Sequence, residues 1–550
     1  MSDPTSSAPL SVLIVGAGPV GLTMAAHLRA HGLAPRLIDK APHPSETSKA
    51  LVLWPRSLEM LDDLRIVDRF LADGRPPNEM RLYGNGHLLL EFALGSGVEG
   101  TAYPKPLVLP QSETERLLTE HLRDADLAVE RPVELVRFAD RDDGVDATLR
   151  HADGREEDVR SDYLLGCDGA HSTVRHGLGL EFTGKAEPSD FLLADCRVGG
   201  LPDEAISLFW HPKGVLAFFP FGDGRCRIIA DIGAPQGDGK PRDPSPEELQ
   251  AIVDARGPGG VRLSDPRWLA GFRINERKVA DYRKGRCFLA GDAAHIHSPA
   301  GGQGMNTGMQ DTWNLAWKLA LVQSGRAKAS LLDSYTPERG AVGELVLRNA
   351  TLMTRVVTIH NPVAQFLRNR IVAALGHLPA FHRAFFGNLT ELKIHYPDSP
   401  LNGESSAVPW ATGGLKPGDR VPDGTLRSPA TGEDHRLHVL LRGPQHGLLL
   451  LPDDQSHIAE LAEIGRRAEA TYPGVIRSHV IASGAAPSGA APDWLDPESS
   501  LRRILGARPS ALAVVRPDGY LGYRGQPASW DELRSYLDRY LITAPAASSA

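Results

Sequence analysis

The sequence predicts an α/β protein in which an antiparallel sheet is inserted between two parts of the first domain, followed by a helical middle segment and a smaller α/β unit at the C-terminal end. Three observations carry this prediction. A continuous apolar run, Ser11–Val15, is followed at once by Gly16-x-Gly18-x-x-Gly21, the pattern of a strand buried on both faces turning sharply into a helix. About 270 residues further on, a second apolar run, Cys287–Ala290, leads into the glycine-dense stretch Pro299–Asn306. Residues 181–275 break into short apolar pieces such as AISLFWH, VLAFFPF and CRIIADI, separated by Gly, Pro and Asp turns, as in an antiparallel sheet.

Taken in order, Pro19–His31 is expected to be the first helix and Pro35–Asp39 the second strand, a βαβ opening. Helices are expected around Ser57–Leu71 and at Glu113–Arg123. From about Glu130 to Gly154 polar and apolar residues alternate, with hairpin turns at Asp143-Gly144 and Asp153-Gly154. Tyr163–Cys167 returns to a buried strand, Cys287–Ala290 is another, and Gln310–Gln323 is a helix. Residues 341–396 form a long helical stretch broken at Pro362 and Pro379, in which Met353, Phe366, Phe381, Phe385 and Phe386 read as core or interface. The segment 397–424 is rich in Pro, Gly and Ser and marks a boundary. Beyond it, strands are expected near 436–441, 446–451, 476–482, 511–516 and 519–524, with helices near 453–470 and 530–540. The expected limits are 1–180 for the first part of the first domain, 181–275 for the inserted sheet, 276–400 for the second part with its helical segment, and 401–550 for the C-terminal unit.

A chain of 550 residues is too long for one hydrophobic core. Its 41% apolar and 23% charged content is that of a soluble globular protein, and a formal net charge of −8 favours neither nucleic acid nor an anionic membrane as partner. Cys167, Cys196, Cys226 and Cys287 are widely spaced, with no CxxC pair. They read as buried thiols of a cytoplasmic protein, with no metal site. The N-terminal stretch is polar and lacks a basic start, unlike a secretory signal. Leu10–Leu28 carries no Asp, Glu, Lys or Arg and is long enough to span a bilayer, but three glycines and Pro19 in its middle favour strand-turn-helix.

The glycines of the first motif have distinct tasks. Gly16 permits the tight turn, Gly18 lets the backbone approach a pyrophosphate, and Gly21 allows close helix–strand packing, with Pro19 and Val20 between them. Amides at the helix N-terminus, with its partial positive charge, then hold the anion. Asp39, at the end of the second strand, is placed to accept hydrogen bonds from an adenosine ribose. This makes the first domain a Rossmann-type dinucleotide site. In the second motif, Asp292 can accept from a ribityl hydroxyl. The backbone amides of Gly302, Gly304, Met305 and Asn306 can face the N1/C2 edge of an isoalloxazine, where negative charge develops on reduction. The dinucleotide is therefore expected to be FAD, bound noncovalently.

With these motifs the chain resembles the single-component, class A FAD-dependent aromatic hydroxylases of the p-hydroxybenzoate hydroxylase type. The resemblance rests on Gly16–Gly21 with Asp39, on the Asp-Gly segment Tyr163–Arg175 containing Asp168, and on Gly291-Asp292 with Pro299–Asn306, over about residues 10–400. Arg56 and Gln111 resemble family positions near the ribityl chain and pyrophosphate. Two departures stand out. Lys49 occupies a place where many members have Arg, which loses the planar two-pronged donor, and Asp39-Lys40 stands where Glu-Arg is usual. The C-terminal unit, with Val515-Arg516-Pro517-Asp518-Gly519-Tyr520, is similar to the thioredoxin-like domain of phenol hydroxylases and polyketide-tailoring hydroxylases. No cysteine follows Cys287, so this unit cannot do thiol redox chemistry.

The resemblance implies that NADPH or NADH, bound transiently, reduces FAD. Dioxygen then forms a flavin C4a-hydroperoxide, which hydroxylates a phenolic or polycyclic aromatic of polyketide type. Baeyer-Villiger oxygen insertion into a ketone is the alternative within the same chemistry, and a non-enzymatic FAD-binding scaffold the alternative outside it. Positioning and water exclusion are the protein's main task, with weak assistance to the substrate that includes the Pro299 carbonyl. Among Phe209, Trp210, His211, Phe218, Phe219 and Phe221, strand alternation sends neighbours to opposite faces. Trp210 and Phe219 are the residues chosen for the substrate wall, and His211 is expected to be a solvated turn residue. His295 and His297 are expected to be structural. The expected partners are the aromatic substrate and dioxygen, with neither nucleic acid nor membrane, and a homodimer is an open assembly.

Overall fold

The computed structural model describes residues 10–45, 50–234, 241–298, 301–359, 361–376, 378, 381, 387–484, 491–508 and 510–544, without the side chains of 10 and 186–188. Leu10–Val15 is buried at its centre and runs parallel to both its neighbours, Arg36–Ile38 and Glu156–Gly166. The parallel part of the first sheet has the order Cys287–Leu289, Glu156–Gly166, Leu10–Val15, Arg36–Ile38, Val129–Glu130. The alternating segment folds as the hairpin Val133–Arg141 and Gly144–His151. Glu156–Gly166 serves both patterns, pairing antiparallel with that hairpin up to Ser161 and parallel with the first strand from Ser161 onward.

Helix Pro19–Ala30 follows the first strand, so Leu10–Leu28 is strand, turn and helix. Among the described residues no helix is long and apolar enough to cross a membrane. A second helix, Gly304–Gln323, is buried from Met305 to Leu321 on every side, and its buried polar residues Asn306, Gln310, Asp311, Asn314 and Lys318 are hydrogen-bonded inside the protein. It crosses close to the first: a Cβ at Gly308 would lie 2.8 Å from Val20 Cγ2 and 2.9 Å from Gly291 Cα. This helix begins at Gly304, earlier than the expected Gln310, because the glycines of the loop run straight into its first turn. The expected helix Ser57–Leu71 is two helices, Pro55–Asp63 and Val67–Asp73, separated where Arg65 takes a left-handed φ of 61°.

The second sheet has the order His295–Ile296, Arg262–Lys278, Thr183–Gly199, Arg225–Gly233, Gly214–Gly222, Ala205–His211, Glu79–Gly84, His87–Ala93. It is wider than residues 181–275. The hairpin Glu79–Ala93 joins it beside Ala205–His211, where the alternation of Met80, Leu82, Leu90 and Phe92 buries one face. Helices Ala341–Val357 and Pro362–Leu375 follow; Pro379, Phe385 and Phe386 lie outside the described residues.

In the C-terminal unit the strands Leu521–Gln526, Ala511–Val515, His446–Leu451 and Ile476–Ser483 are adjacent in that order. Helices Ile458–Thr471 and Trp530–Leu537 pack through Leu461, Ile464, Leu533 and Leu537, the thioredoxin-like arrangement. The strand expected at 436–441 is Asp434–Arg436 followed by a helical turn, Leu437–Leu440. Three- and four-residue spacing brings Leu437, Leu440 and Leu441 onto one apolar cluster.

Candidate active site

The turn after the first strand is built by exclusion of side chains. Gly16 has φ +100°, and a Cβ there would meet the Cys167 carbonyl oxygen at 2.5 Å; a Cβ at Gly21 would overlap the Gly16 carbonyl oxygen. Gly18 differs: a Cβ there would meet nothing within 4 Å. It caps the helix with no side-chain hydrogen bond, and the first turn holds no acidic residue. Pro19 carries no N–H, and the amides that follow it in the first turn have no side-chain cap among the described residues, as an anion site requires.

The space beside Gly18 is one end of a cavity of about 740 Å³. Gly16, Gly18, Pro19, Val20, Asp39, Lys40, Gln111 and Asp168 line this end. Asp39 accepts from the amides of Ala17 (2.7 Å) and Ala41 (2.8 Å) and pairs with Arg131 at 3.2 Å. Gln111 accepts from the Ala50 amide at 3.1 Å and donates to Glu115 at 2.8 Å, tying the neighbouring loop to its helix. Asp168 Oδ2 accepts from the Thr173 amide at 2.7 Å. Burial pushes the Asp168 carboxyl above its ordinary range, and its Oδ1 has no hydrogen-bond partner among the described residues.

The second motif brings another helix N-terminus to the same cavity. Asp292, Gly301, Gly302, Gly304 and Met305 line it, and Gln303 supplies no side-chain cap to the helix that starts at Gly304. Gly302 takes φ +63°. Asn306 fixes the loop from behind: its amide donates to the carbonyls of Val52 (2.8 Å) and Gly302 (2.9 Å), and its oxygen accepts from the Trp54 amide at 2.8 Å. His295 is held by Asp311 at 2.9 Å, as a structural histidine. His297 lines the cavity. Its Nδ1 donates to the Ser298 carbonyl (3.1 Å), its Nε2 has no partner among the described residues, and burial pushes the imidazole down to about 4. It is neutral at physiological pH.

Beyond the loops the cavity becomes an apolar chamber against the second sheet. Ile206, Leu208 and Trp210 of one strand and Val215, Ala217 and Phe219 of the next face it. Their neighbours Phe209, Leu216 and Phe218 point to the opposite face and form core, as the two-residue period requires. Both residues chosen for the substrate wall, Trp210 and Phe219, are on the lining. His211 sits at the turn, where its Nδ1 accepts from the Lys213 amide.

Three expected positions fall elsewhere, and two lie outside the described residues. Arg56 is not among the described lining residues: it is 1% exposed, bonded to Glu59 (2.9 Å) and the Asp518 carbonyl (2.6 Å), and lies over the rings of Trp313 and Tyr520. It joins the C-terminal unit to the first domain. Gly21 and Asn306 also lie behind the lining, because one packs on Gly16 and the other spends its amide on the loop. Lys49 belongs to 46–49 and Pro299 to 299–300, both outside the described residues. Sequence reasoning missed the opposite wall: Met353, Thr354, Val357 and Thr358 all line the chamber. Met353, read as core or interface, is a lining residue. The helical spacing 353, 354, 357, 358 was the available signal. Arg227 was missed too; it lines the cavity, chelated by Asp195 (2.7 and 2.8 Å) with a further bond to the Ala50 carbonyl.

The residues present fit FAD. Side-chain-free space at Gly18, two uncapped helix N-termini and the orphaned oxygen of Asp168 lie along one cavity. Residues 9–350 match the family described as FAD binding domain. The chain is 38% identical over 561 aligned positions to 6-methylpretetramide 4-monooxygenase of Streptomyces rimosus, covering 98% of this chain and 96% of the relative. It is 31% identical to pentachlorophenol 4-monooxygenase of Sphingobium chlorophenolicum, covering 98% of each. Among solved structures, an anhydrotetracycline hydroxylase from Streptomyces rimosus superposes with a TM-score of 0.73 at 28% identity, covering 97% of this chain and 99% of the other.

Proposed function

Since the chain belongs to the FAD binding domain family of flavin-dependent aromatic monooxygenases, we propose that it hydroxylates a phenolic ring of a large polycyclic, polyketide-type aromatic. The observation that carries this reading is the continuity of the cavity: the dinucleotide cradle at Gly16–Val20 and the chamber at Trp210 and Phe219 are one space. Bound FAD supplies electron transfer from NADPH or NADH and activation of dioxygen. The chain's own residues bind and orient. Gly18, Pro19 and Val20 hold the pyrophosphate, Asp39 and Lys40 the adenosine end, Gln111, Asp168 and Asp292 the ribityl chain, and Gly302, Gly304 and Met305 the ring's electron-accepting edge. The chamber excludes water and keeps a flat aromatic against that edge.

The name of the 38% identical relative supports a polycyclic substrate and that of the 31% identical relative the phenolic class, and the apolar wall from Ile206 to Phe219 gives a fused-ring guest a surface to lie against. The test uses FAD-loaded protein with a panel of polycyclic phenols. Consumption of NADPH or NADH should accelerate with a phenol of this class. Under heavy dioxygen the product should gain one labelled atom with its carbon skeleton unbroken. Protein that stays colourless on reconstitution, or oxidises the nicotinamide no faster with any phenol, sinks the reading.

A further inference from the structure

The helix Pro362–Leu375 has its polarity reversed. Its inward side carries Gln365, Arg368 and Asn369, each at most 9% exposed. They spend their hydrogen bonds on holding the helix in place. Gln365 donates to the Ile359 carbonyl (2.6 Å), Arg368 to the carbonyls of Val356 (2.9 Å) and Val357 (3.2 Å), and Asn369 Oδ1 accepts from Arg368 at 3.0 Å. The outward side carries Val363, Phe366, Leu367, Ile371 and Leu375, between 41% and 75% exposed, at the three- and four-residue steps of one helical stripe. Val356, beside Arg368, and Leu352, one turn earlier on the helix Ala341–Val357, are exposed as well. A surface helix ordinarily shows solvent its polar side, and an apolar patch of this kind marks a contact surface.

The charge around the stripe has one sign. Residues 345–390 contain five arginines and no Asp or Glu, in a chain with 68 acidic residues. Arg348, Arg355 and Arg370 are exposed, and among the described residues none of them pairs with a carboxylate. The hairpin Glu79–Ala93 beneath the helix carries two acids, Glu79 and Glu91. Alternation sends them to the opposite face of the sheet from Met80, Leu82, Leu90 and Phe92, where Arg81 holds both, at 2.7 and 3.5 Å. Glu344, at the far end of the helix Ala341–Val357, faces Lys278 at 4.0 Å. The net charge of −8 averages over a surface on which this face is the exception.

Arg370 decides what covers the stripe. It lies within the exposed side, with its guanidinium carbon 5.2 Å from the centroid of the Phe366 ring. A second copy packed here would desolvate Arg370 with no acid at hand, and in a two-fold contact the stripe meets itself, arginines included. Lipid meets both needs: acyl chains take up the apolar side chains while headgroup phosphates take up the arginines. We propose that the helix Pro362–Leu375 is a peripheral docking face for an anionic lipid bilayer, entered by Phe366 and Leu367 and held by Arg355 and Arg370. This face is also the outer side of the chamber wall. Met353 and Thr354 line the chamber, and Arg368 lies 4.1 Å from the ring of Trp210, another lining residue. Docking therefore brings the chamber to about one helix diameter from the lipid, where a poorly soluble aromatic concentrates. That use rests on the hydroxylase reading; the docking does not.

The experiment cosediments the FAD-loaded full chain with vesicles of phosphatidylcholine, alone or mixed with phosphatidylglycerol. Wild type should bind the phosphatidylglycerol vesicles at least about tenfold more tightly than the neutral ones, and less tightly as salt rises. Phe366→Ser combined with Leu367→Ser should lose at least about tenfold in affinity, and Arg355→Gln or Arg370→Gln about fivefold each. Val439→Ser, at an exposed position of the C-terminal unit, should bind as wild type does. These side chains reach into solvent, so every variant should keep its flavin and its melting temperature. Wild type that stays in the supernatant with both vesicles overturns the proposal, as does equal binding to both, or binding that the double variant leaves intact. A solution dimer that the double variant dissociates assigns the face to a second copy and overturns it too. Phenol-stimulated nicotinamide oxidation in lipid-free buffer tests the hydroxylase reading by itself, so the two fail separately.

Discussion

Arg516 and Glu338 form a two-pronged ion pair, 2.6 and 3.0 Å long, in which both side chains are at most 1% exposed. The pair crosses from the C-terminal unit to the helical turn Thr336–Gly340, which leads into the helix Ala341–Val357. Glu338 also accepts from Asn314 (2.6 Å) and Lys318 (2.7 Å). Burial opposes ionisation of Glu338, but Arg516 and Lys318 outweigh it and hold the carboxyl well below the usual range. A carboxyl depressed in the folded state adds stability above its unfolded value, near 4.3, and loses it as pH falls below that. Glu338→Gln leaves Arg516 and Lys318 buried with less compensation and should cost about 3–5 kcal/mol near neutral pH. Urea unfolding should show this loss at pH 7 and a smaller gap between variant and wild type below about pH 4. A constant gap at all pH values would refute the ionic role.

Gly18 and Gly21 share a motif but not a task. A Cβ at Gly21 overlaps the Gly16 carbonyl, whereas one at Gly18 meets only open space. Gly21→Ala should therefore destabilise the apo-fold by at least about 1–3 kcal/mol, the usual cost of overpacking. Gly18→Ala should fold with an unchanged melting temperature in the apo form. It should hold FAD at least about tenfold more weakly, the loss of roughly one hydrogen bond to a charged group. Melting curves and bound-flavin absorbance separate the two outcomes.

Phe218 and Phe219 are adjacent on one strand and face opposite ways. Phe218 is 1% exposed in the core under the sheet, and Phe219 is on the chamber wall. Phe218→Ala should cost about 3–5 kcal/mol in stability and leave the KM for a polycyclic phenol unchanged in folded protein. Phe219→Ala should do the reverse, raising KM about tenfold through lost apolar contact. Equal effects of the two on KM would mean the chamber does not hold the substrate.

The first glycine motif was legible because close packing of strand and helix backbones leaves no room for a Cβ at Gly16 and Gly21, and that requirement is written residue by residue in the chain. Period-two alternation likewise separated Trp210 and Phe219 from part of the core. Arg56 was misplaced because, beside its local partner Glu59, it donates to the Asp518 carbonyl of the docked C-terminal unit, a contact across 462 positions that no local pattern carries. The wall from Met353 to Thr358 was missed for a related reason. An amphipathic helix shows that one face is buried, not whether it meets core or cavity.

The thioredoxin-like unit should be inert toward thiols and disulfides. It holds no cysteine, and Cys167, Cys196, Cys226 and Cys287, the four in the chain, are all buried and unpaired. Burial pushes Cys196 up to about 11 and Cys226 and Cys287 up to about 12, and Cys167 is raised further still. The thiolate is the reactive form, so at pH 8 even Cys196 is ionised only to the order of 0.1%, besides being shielded. A chromogenic disulfide reagent should find no fast-reacting thiol in the native protein and four after unfolding in denaturant. Insulin reduction in the presence of dithiothreitol should proceed at the uncatalysed rate. A thiol that reacts rapidly in the native state would show that Cys167, the cysteine on the cavity lining, is reached through the cradle, and FAD should then protect it in proportion to occupancy.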